Sequence, residues 1–550
     1  MLILEMKNIK KSFGDRLLLD IDNLNIDSED KIGIVGLNGV GKTTLMDILS
    51  MRLEPDEGTV NIFGSYSYIT QLDYGFDEKP KTKVASLFKV PISPSEVMSG
   101  GEKTRLKIAN GLSEMKNIIF ADEPTSNLDI EGIKLLEEKL LAHKGALVLI
   151  SHDRFFLDKL CNKIIELENG KVKIYNGNYD FYKHQNQVER ERQSFEYDQF
   201  IKVKRGLEDA IFDKKHHKEG MRNTPKRMGN SEARLHKLGN QKAEKNVDNA
   251  ARSLKSRLEK LEIKDKPMDV FKTKIDIQKT EKLHSKILIK GSKVDKSFGS
   301  RKILDKADFQ INNNWKVALI GNNGCGKTTL IRMIIDKGSN IKRSSTLKIG
   351  YFNQDLSILD EEKSILENVM NESIYDGTFV RILLARLLFK AEDIHKKINV
   401  LSGGERVKVS FAKIFVLDIN MLILDEPTNY LDIYSCEAIE TALKEFKGTI
   451  LFVSHDRKFI SEVADHLMII ENNKIETFNG GYNEYMRKQN EGSEAANIRD
   501  RKMVIENKIS EVLGRISMPS KRDDVELLDI QFKKLIEELK EIKSLDKDKK

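Results

Sequence analysis

Two segments of the chain, Gly36 to Thr43 and Gly321 to Thr328, fit the pattern G-x-x-x-x-G-K-[ST] and lie 285 positions apart. In each, glycines (Gly36, Gly39 and Gly41; Gly321, Gly324 and Gly326) let backbone N–H groups close around phosphates. The lysine (Lys42, Lys327) adds a point charge at the β/γ end, and the threonine hydroxyl (Thr43, Thr328) ligates Mg²⁺. Asn38, Thr44, Asn323 and Thr329 belong to the same two cradles. Downstream, Asp122-Glu123 and Asp425-Glu426 each end an apolar run. The first carboxylate of such a pair holds Mg²⁺ and the second polarises the attacking water. Ser99-Gly100-Gly101-Glu102 and Ser402-Gly403-Gly404-Glu405 each open a helix. Their N–H groups form a second anion site, suited to a γ-phosphate delivered from elsewhere. ATP hydrolysis is therefore the predicted chemistry, with the machinery present twice.

Further residues recur in the same order. Gln71 and Gln354 follow strand-like stretches and are expected at the metal and nucleotide. His152 and His455 sit in Ser-His-Asp triplets after apolar strands, where a pair in register suits γ-phosphate sensing better than two unrelated structural histidines. Phe13 and Phe298 occupy matching Lys-Ser-Phe-Gly contexts. An aromatic face there can stack on adenine, although packing alone explains either ring.

The elements that must position these groups are equally regular. Lys31–Val35 and Lys316–Ile320 read as buried parallel strands, and Thr44–Leu49 and Thr329–Ile334 as the helices that follow the loops. Strand, loop and helix in that order is the context the phosphate motif needs. The spacing between copies is 285 at the lysines and 283 at the glutamines, but 303 at the signature serines and at the Asp-Glu aspartates. The first copy thus lacks about twenty residues that the second carries between Gln and Ser.

Composition narrows the alternatives. A chain of 550 residues accommodates two large α/β domains with extra segments. No apolar run approaches the length of a bilayer span. The first residues, Met1 to Lys7, read as a strand without the design of a secretory signal. Cys161, Cys325 and Cys436 make no paired framework and fit a reducing cytoplasm.

Net charge is +7. From residue 214 to 237 eight cations (Lys214, Lys215, Lys218, Arg222, Lys226, Arg227, Arg234 and Lys237) face two anions, Glu219 and Glu232. Flanking stretches, 185–212 and 231–261, are charge-rich and punctuated by apolar residues; Leu235, Leu238, Leu254, Leu258 and Leu261 recur at helical spacing, and Gly220, Pro225 and Gly229 interrupt the pattern. Two helices in an antiparallel hairpin with a basic tip account for this, each reaching roughly 35–40 Å for about 25 residues. A solvated, disordered linker is the alternative reading of the same composition. A positive tip suits a polyanion, since each phosphate contact releases counterions. Beyond residue 490, charged helical-period stretches at 495–516 and 525–542 suggest a second, smaller helical hairpin. The expected division is 1–182, a first ATPase domain; 183–286, a basic helical linker; 287–490, a second ATPase domain; and 491–550, a C-terminal helical extension.

The motif order resembles the ATP-binding-cassette (ABC) family: A-loop aromatic, Walker A, Q-loop, signature, Walker B, D-loop (Ser126 to Asp129, Asn429 to Asp432) and H-switch. In that family the stretch shortened in the first copy is the helical subdomain that transporters dock on a membrane partner. Met98 stands where the signature usually begins with Leu, a conservative departure. The fold class is α/β, two tandem P-loop ABC ATPase domains joined by a long α-helical hairpin linker, with a C-terminal helical extension. Two fused cassettes, no membrane domain and a charged linker resemble the ABC-F family. The short first insertion, extended tip and C-terminal extension resemble its antibiotic-resistance, ribosome-protection branch of Vga, Lsa and VmlR type.

That resemblance implies a cytoplasmic ATPase using ATP and Mg²⁺, monomeric, with an intramolecular cassette dimer. It implies binding to the 70S ribosome at the 50S E site, with contacts to 23S rRNA and the P-site tRNA, and no membrane permease or DNA partner. The linker would protect the peptidyl-transferase centre from lincosamide, streptogramin A and pleuromutilin drugs, the basic residues from Lys214 to Lys237 touching RNA. Glu123 and Glu426 would activate water, with His152 and His455 beside them. A housekeeping ABC-F translation factor, an ABC exporter ATPase subunit and a Uup-like DNA-associated ATPase are the competing readings.

Overall fold

A computed structural model describes residues 1–70, 80–88, 90–91, 98, 100–113, 116–222, 230–262, 264, 285–353, 358–489 and 491, with short pieces between 505 and 539; within 217–244 it describes the backbone alone. Gln71, Ser99, Gln354, Lys226 and Arg227 lie outside the described residues. So does most of the expected C-terminal hairpin.

The apolar run before each phosphate loop becomes the fourth strand of a six-stranded sheet. In the first cassette the order is Tyr66–Ile69, Ile118–Asp122, Ala146–Ile150, Lys31–Val35, Lys163–Glu168 and Lys171–Asn176. Five strands are parallel and the last is antiparallel. The second cassette repeats the order with Ile349–Phe352, Met421–Asp425, Thr449–Val453, Lys316–Ile320, His466–Glu471 and Lys474–Phe478. These strands are continuous apolar runs because both faces are covered. Ile119 and Ala121 pack into one apolar layer, while Ile118 and Phe120 pack into the other. The second layer is closed by a three-stranded antiparallel sheet of Arg16–Asp27, Leu2–Phe13 and Glu57–Ile62.

The twenty-residue difference has a structural counterpart. Between its sheet and its signature helix the second cassette builds helices Ile365–Met370 and Gly377–Arg386 and two 3₁₀ turns. The first cassette has one short helix there, Thr82–Leu87, among the described residues.

The linker is helical on both sides of its tip, Tyr179–Arg222 and Asn230–Glu259. This corrects the sequence-based lengths. The first helix has 44 residues, so it reaches about 66 Å at 1.5 Å per residue, and Gly220 is inside it, not at a break. It starts at Tyr179 and so crosses the expected boundary at 182. Arg192 with Glu196 at 2.9 Å, a pair four residues apart, supports this polar helix from within. Lys264, just past the second helix, returns to within 3.8 Å of Glu196, as an antiparallel hairpin requires.

Candidate nucleotide sites between the cassettes

Each phosphate loop passes into its helix at Gly41 or Gly326, with φ of 105° and 109°, a left-handed backbone that a side chain disfavours. The helices that follow, Lys42–Leu49 and Lys327–Ile335, point their N-termini at the loop. Lys42 is buried and donates to the carbonyls of Gly36 at 2.9 Å and Leu37 at 3.0 Å. Lys327 makes the matching bond to Gly321 O at 2.8 Å. Thr43 hydrogen-bonds Asp122, and Thr328 Oγ1 lies 3.5 Å from Asp425 Oδ1. The threonine and the strand-end aspartate expected to share a metal are thus neighbours in both cassettes. Thr44 and Thr329 follow them in the first helical turn. Burial raises both aspartate pKa values, a penalty on the carboxylate that a bound cation would offset.

Glu123 and Glu426 sit at the end of the same strands in left-handed conformations, φ 48° and 51°. Strain of this kind persists only where the surroundings over-determine it. Burial, reinforced by the adjacent Asp122, pushes the Glu123 carboxyl up to about 8. Burial takes Glu426 up to about 7. The two histidines move the other way, His152 down to about 3 and His455 to about 4, again through burial and then the nearby lysine. His152 Nε2 lies 3.2 Å from Glu123 Oε1, and His455 Nε2 lies 3.3 Å from Glu426 Oε1. Near pH 7 the imidazoles are neutral, so these contacts are not ion pairs.

The signature segments face the opposite cassette's loop. A Cβ on Gly101 would fall 2.9 Å from Asn127 O and 3.0 Å from Asn323 Nδ2. One on Gly404 would fall 2.6 Å from Tyr430 O and 3.1 Å from Asn38 Nδ2. Only glycine fits at either place. Gly100, Gly101, Asn323, Gly324, Lys327 and Thr328 all line one cavity of about 750 Å³. Gly403 opens the equivalent helix, capped by Ser402, which accepts from Glu405 N at 3.4 Å. Glu405 Oε2 accepts in return from Ser402 N at 2.9 Å, so this glutamate shapes the helix start. Glu102 lines the 750 Å³ cavity. Phe298 lines a separate recess with Thr328 and Thr329, and Phe13 and Phe298 are both over half exposed.

The sequence marks Asp129 and Asp432 only as D-loop ends, and no motif in it marks the arginines and glutamates that also join the cassettes. Asp432 Oδ2 accepts from Asn38 N at 2.9 Å, and Asp129 Oδ2 accepts from Asn323 N at 3.1 Å. Each aspartate also caps the helix it begins. Arg154 pairs with Glu440 and Arg457 with Glu137. The aspartates, arginines and glutamates recur at the 303-residue offset and the asparagines at 285, so comparing the two copies position by position exposes them. Among the described basic residues of the linker, Lys214 and Lys215 are exposed on the first helix. Lys218, Arg222, Arg234 and Lys237 lie on the helices, their side chains outside the description.

The sites also have room for a ligand's polar groups. Apart from the imidazole contacts above, which lack hydrogen-bond geometry, Glu123 Oε1, both carboxylate oxygens of Glu426 and His152 Nδ1 are buried without a hydrogen-bond partner among the described residues. Buried polar atoms of this kind mark places that a ligand or water satisfies.

Two P-loop cassettes closed head to tail, each completing the other's phosphate site, define a tandem ATP-binding-cassette ATPase. The family model described as ABC transporter matches residues 19–126 and 304–429. The erythromycin resistance ATP-binding protein MsrA of Staphylococcus epidermidis is 34% identical over 476 residues, 84% of this chain and 97% of its own. The ribosome protection protein VmlR of Bacillus subtilis is 31% identical over 559 residues, 99% of each chain. The chain belongs to the ABC-F family, in the branch of these resistance proteins. Among solved structures, the archaeal ribosome recycling factor aABCE1 shares the fold with a TM-score of 0.60 at 20% identity, over 88% of this chain and 92% of that one. No helix among the described residues is long and apolar enough to cross a membrane.

Proposed function

We propose that this ATPase binds the 70S ribosome from the E site of the 50S subunit and protects the peptidyl-transferase centre from antibiotics. Similarity over nearly the full length to a ribosome protection protein carries this reading. The long helical pair between two cassettes supports it, because such a hairpin projects far beyond the ATPase core. In this account the chain is cytoplasmic and divides at 182, 286 and 490, with no permease or DNA partner. The tip contacts 23S rRNA and the P-site tRNA through Lys214, Lys215, Lys218, Arg222, Lys226, Arg227, Arg234 and Lys237. The protected drugs are of the lincosamide, streptogramin A and pleuromutilin classes.

One ATP lies between Lys42/Thr43 and Ser402/Gly404, the other between Lys327/Thr328 and Ser99/Gly101. Thr43 with Asp122, and Thr328 with Asp425, would hold Mg²⁺ together with Gln71 and Gln354; bound there, it neutralises phosphate charge. Phe13 and Phe298 stack on the adenines. Glu123 and Glu426 take the proton of the attacking water, a task that a carboxyl poised near neutrality performs well. His152 and His455 orient the same reacting group. ATP favours the closed arrangement because it binds both cassettes, so the coupling is differential affinity between open and closed states.

Replacing residues 220–229 with a short Gly/Ser loop tests the protective role. ATPase activity should stay nearly intact, since no cassette motif lies there, while the minimum inhibitory concentration of these drugs falls to that of the susceptible host. Full resistance without the tip rules out protection through the linker.

A further inference from the structure

The base of the linker is tied to the cassettes asymmetrically. Glu166, within strand Lys163–Glu168, pairs with Val35, the last strand residue before the first phosphate loop, and is buried. Its carboxylate accepts from Tyr182 OH at 2.8 Å, from Asn186 Nδ2 at 2.8 and 2.9 Å, and from Tyr175 OH at 3.2 Å. Arg190 Nη2 lies 4.0 Å away. Tyr182, Asn186 and Arg190 are four residues apart on one face of the first linker helix, so three successive turns point at a single carboxylate.

The remaining donor comes from the other cassette. Tyr434 OH donates to Glu166 Oε1 at 2.6 Å and stands 2.6 Å from Tyr182 OH. The Arg190 guanidinium lies over the Tyr434 ring, 5.1 Å from its centre. Tyr434 is the second residue of helix Ile433–Glu445, whose cap Asp432 holds Asn38 of the first phosphate loop. On the same helix, Glu437 takes Lys183 of the linker at 2.5 Å. Bringing Asp432 to the first phosphate loop therefore also brings Tyr434 to Glu166.

Among the described residues, nothing equivalent surrounds the second loop. Ile469 holds the position of Glu166, in the same register beside Ile320. Glu131 and Lys134 replace Tyr434 and Glu437, and Met486 replaces Lys183, at the common offset of 303. The tie is thus specific to the side from which the linker leaves.

We propose that Glu166 is a positioning residue through which closure of the first ATP site alone fixes the direction of the linker helix. The second site closes the cassettes without orienting the linker. This deepens the proposed ATP-driven function and rests on its assignment of the first ATP site. At the Glu166 carboxylate, the cross-cassette hydroxyl of Tyr434 is the donor that closure adds, beside the more exposed Lys183–Glu437 contact. Tyr182, Asn186 and Tyr175 stay beside Glu166 whether or not the cassettes meet, because all belong to the first cassette and its helix.

Hydrogen exchange of the full chain with a non-hydrolysable ATP analogue, without ribosomes, tests this. In the unmodified protein the analogue should slow amide exchange both in the interface helix 433–445 and in the linker base 183–193. In Tyr434→Phe the interface helix should keep its slowing, held by Asp432 and Glu440. Slowing at 183–193 should drop by about tenfold, the order expected for one lost charge-assisted hydrogen bond. Glu166→Ile, which installs the residue of the second cassette, should give the same split. Equal slowing at 183–193 in Tyr434→Phe and the unmodified protein overturns the proposal, as does the absence of any analogue effect there in the unmodified protein. Because ribosomes are left out, failure of ribosome binding cannot produce either result.

Discussion

Arg154 of the first cassette reaches Glu440 of the second, its Nη1 3.2 Å from Oε2, and both side chains are more than 90% buried. Arg457 makes the reciprocal contact with Glu137 and adds Asp153 at 3.1 Å. Each arginine directly follows the His-Asp pair of its own ATP site, and each glutamate lies on the helix that begins at the facing D-loop. The two sites are therefore joined through a pair of buried ionic contacts at the centre of the interface.

Removing one partner leaves a buried charge alone, which costs roughly 3–5 kcal/mol. Arg154→Ala should lower the ATPase rate at least tenfold at a fixed, subsaturating ATP concentration while circular dichroism shows both cassettes folded. Replacing both partners by apolar residues, Arg154→Met with Glu440→Leu, should recover much of the loss, and a steady-state assay of the four proteins measures the coupling.

The buried glutamates make the nucleotide-free protein sensitive to alkali. A carboxyl that titrates near 4.5 unfolded and at about 8 folded binds more protons in the folded state between those values. Its contribution is complete below about pH 4.5 and is lost as pH rises through 8. Glu426, raised to about 7, adds the same slope over a narrower window. Thermal unfolding midpoints should therefore fall between pH 6 and 9 more steeply in the unmodified protein than in Glu123→Gln/Glu426→Gln. Equal slopes would show that these carboxyls are already ionised when folded.

Much of this was legible in the sequence because the chain states it twice. Phosphate loops, Asp-Glu strand ends and signature glycines have fixed local geometry, so each can be read from a few adjacent residues. The contacts of Glu166 with Tyr434 and of Arg154 with Glu440 are hundreds of positions apart, and no local pattern announces them. Gly220 interrupts the sequence periodicity, yet the helix runs through it to Arg222, since one glycine costs a helix only about 1 kcal/mol. The first helix also begins within the cassette, where Tyr179 and Tyr182 are buried core residues rather than linker.

Association with RNA through the basic tip should depend steeply on salt. Roughly six phosphate contacts lower affinity by about 10³-fold or more between 50 and 200 mM salt. Filter binding of ribosomes across that range measures the slope, and a flat response would mean that the tip lysines and arginines do not meet phosphates.

The central claim, that ATP holds the cassettes closed and the closed protein binds ribosomes, is tested most directly by sucrose-gradient sedimentation of Glu123→Gln/Glu426→Gln with ATP. Losing both carboxylates removes water activation but keeps Lys42, Thr43, Lys327 and Thr328. The variant should co-sediment with 70S particles in ATP, whereas Lys42→Ala/Lys327→Ala, unable to grip phosphate, should remain at the top of the gradient. A double-glutamine variant that stays in the ribosome-free fractions with ATP present would contradict the account.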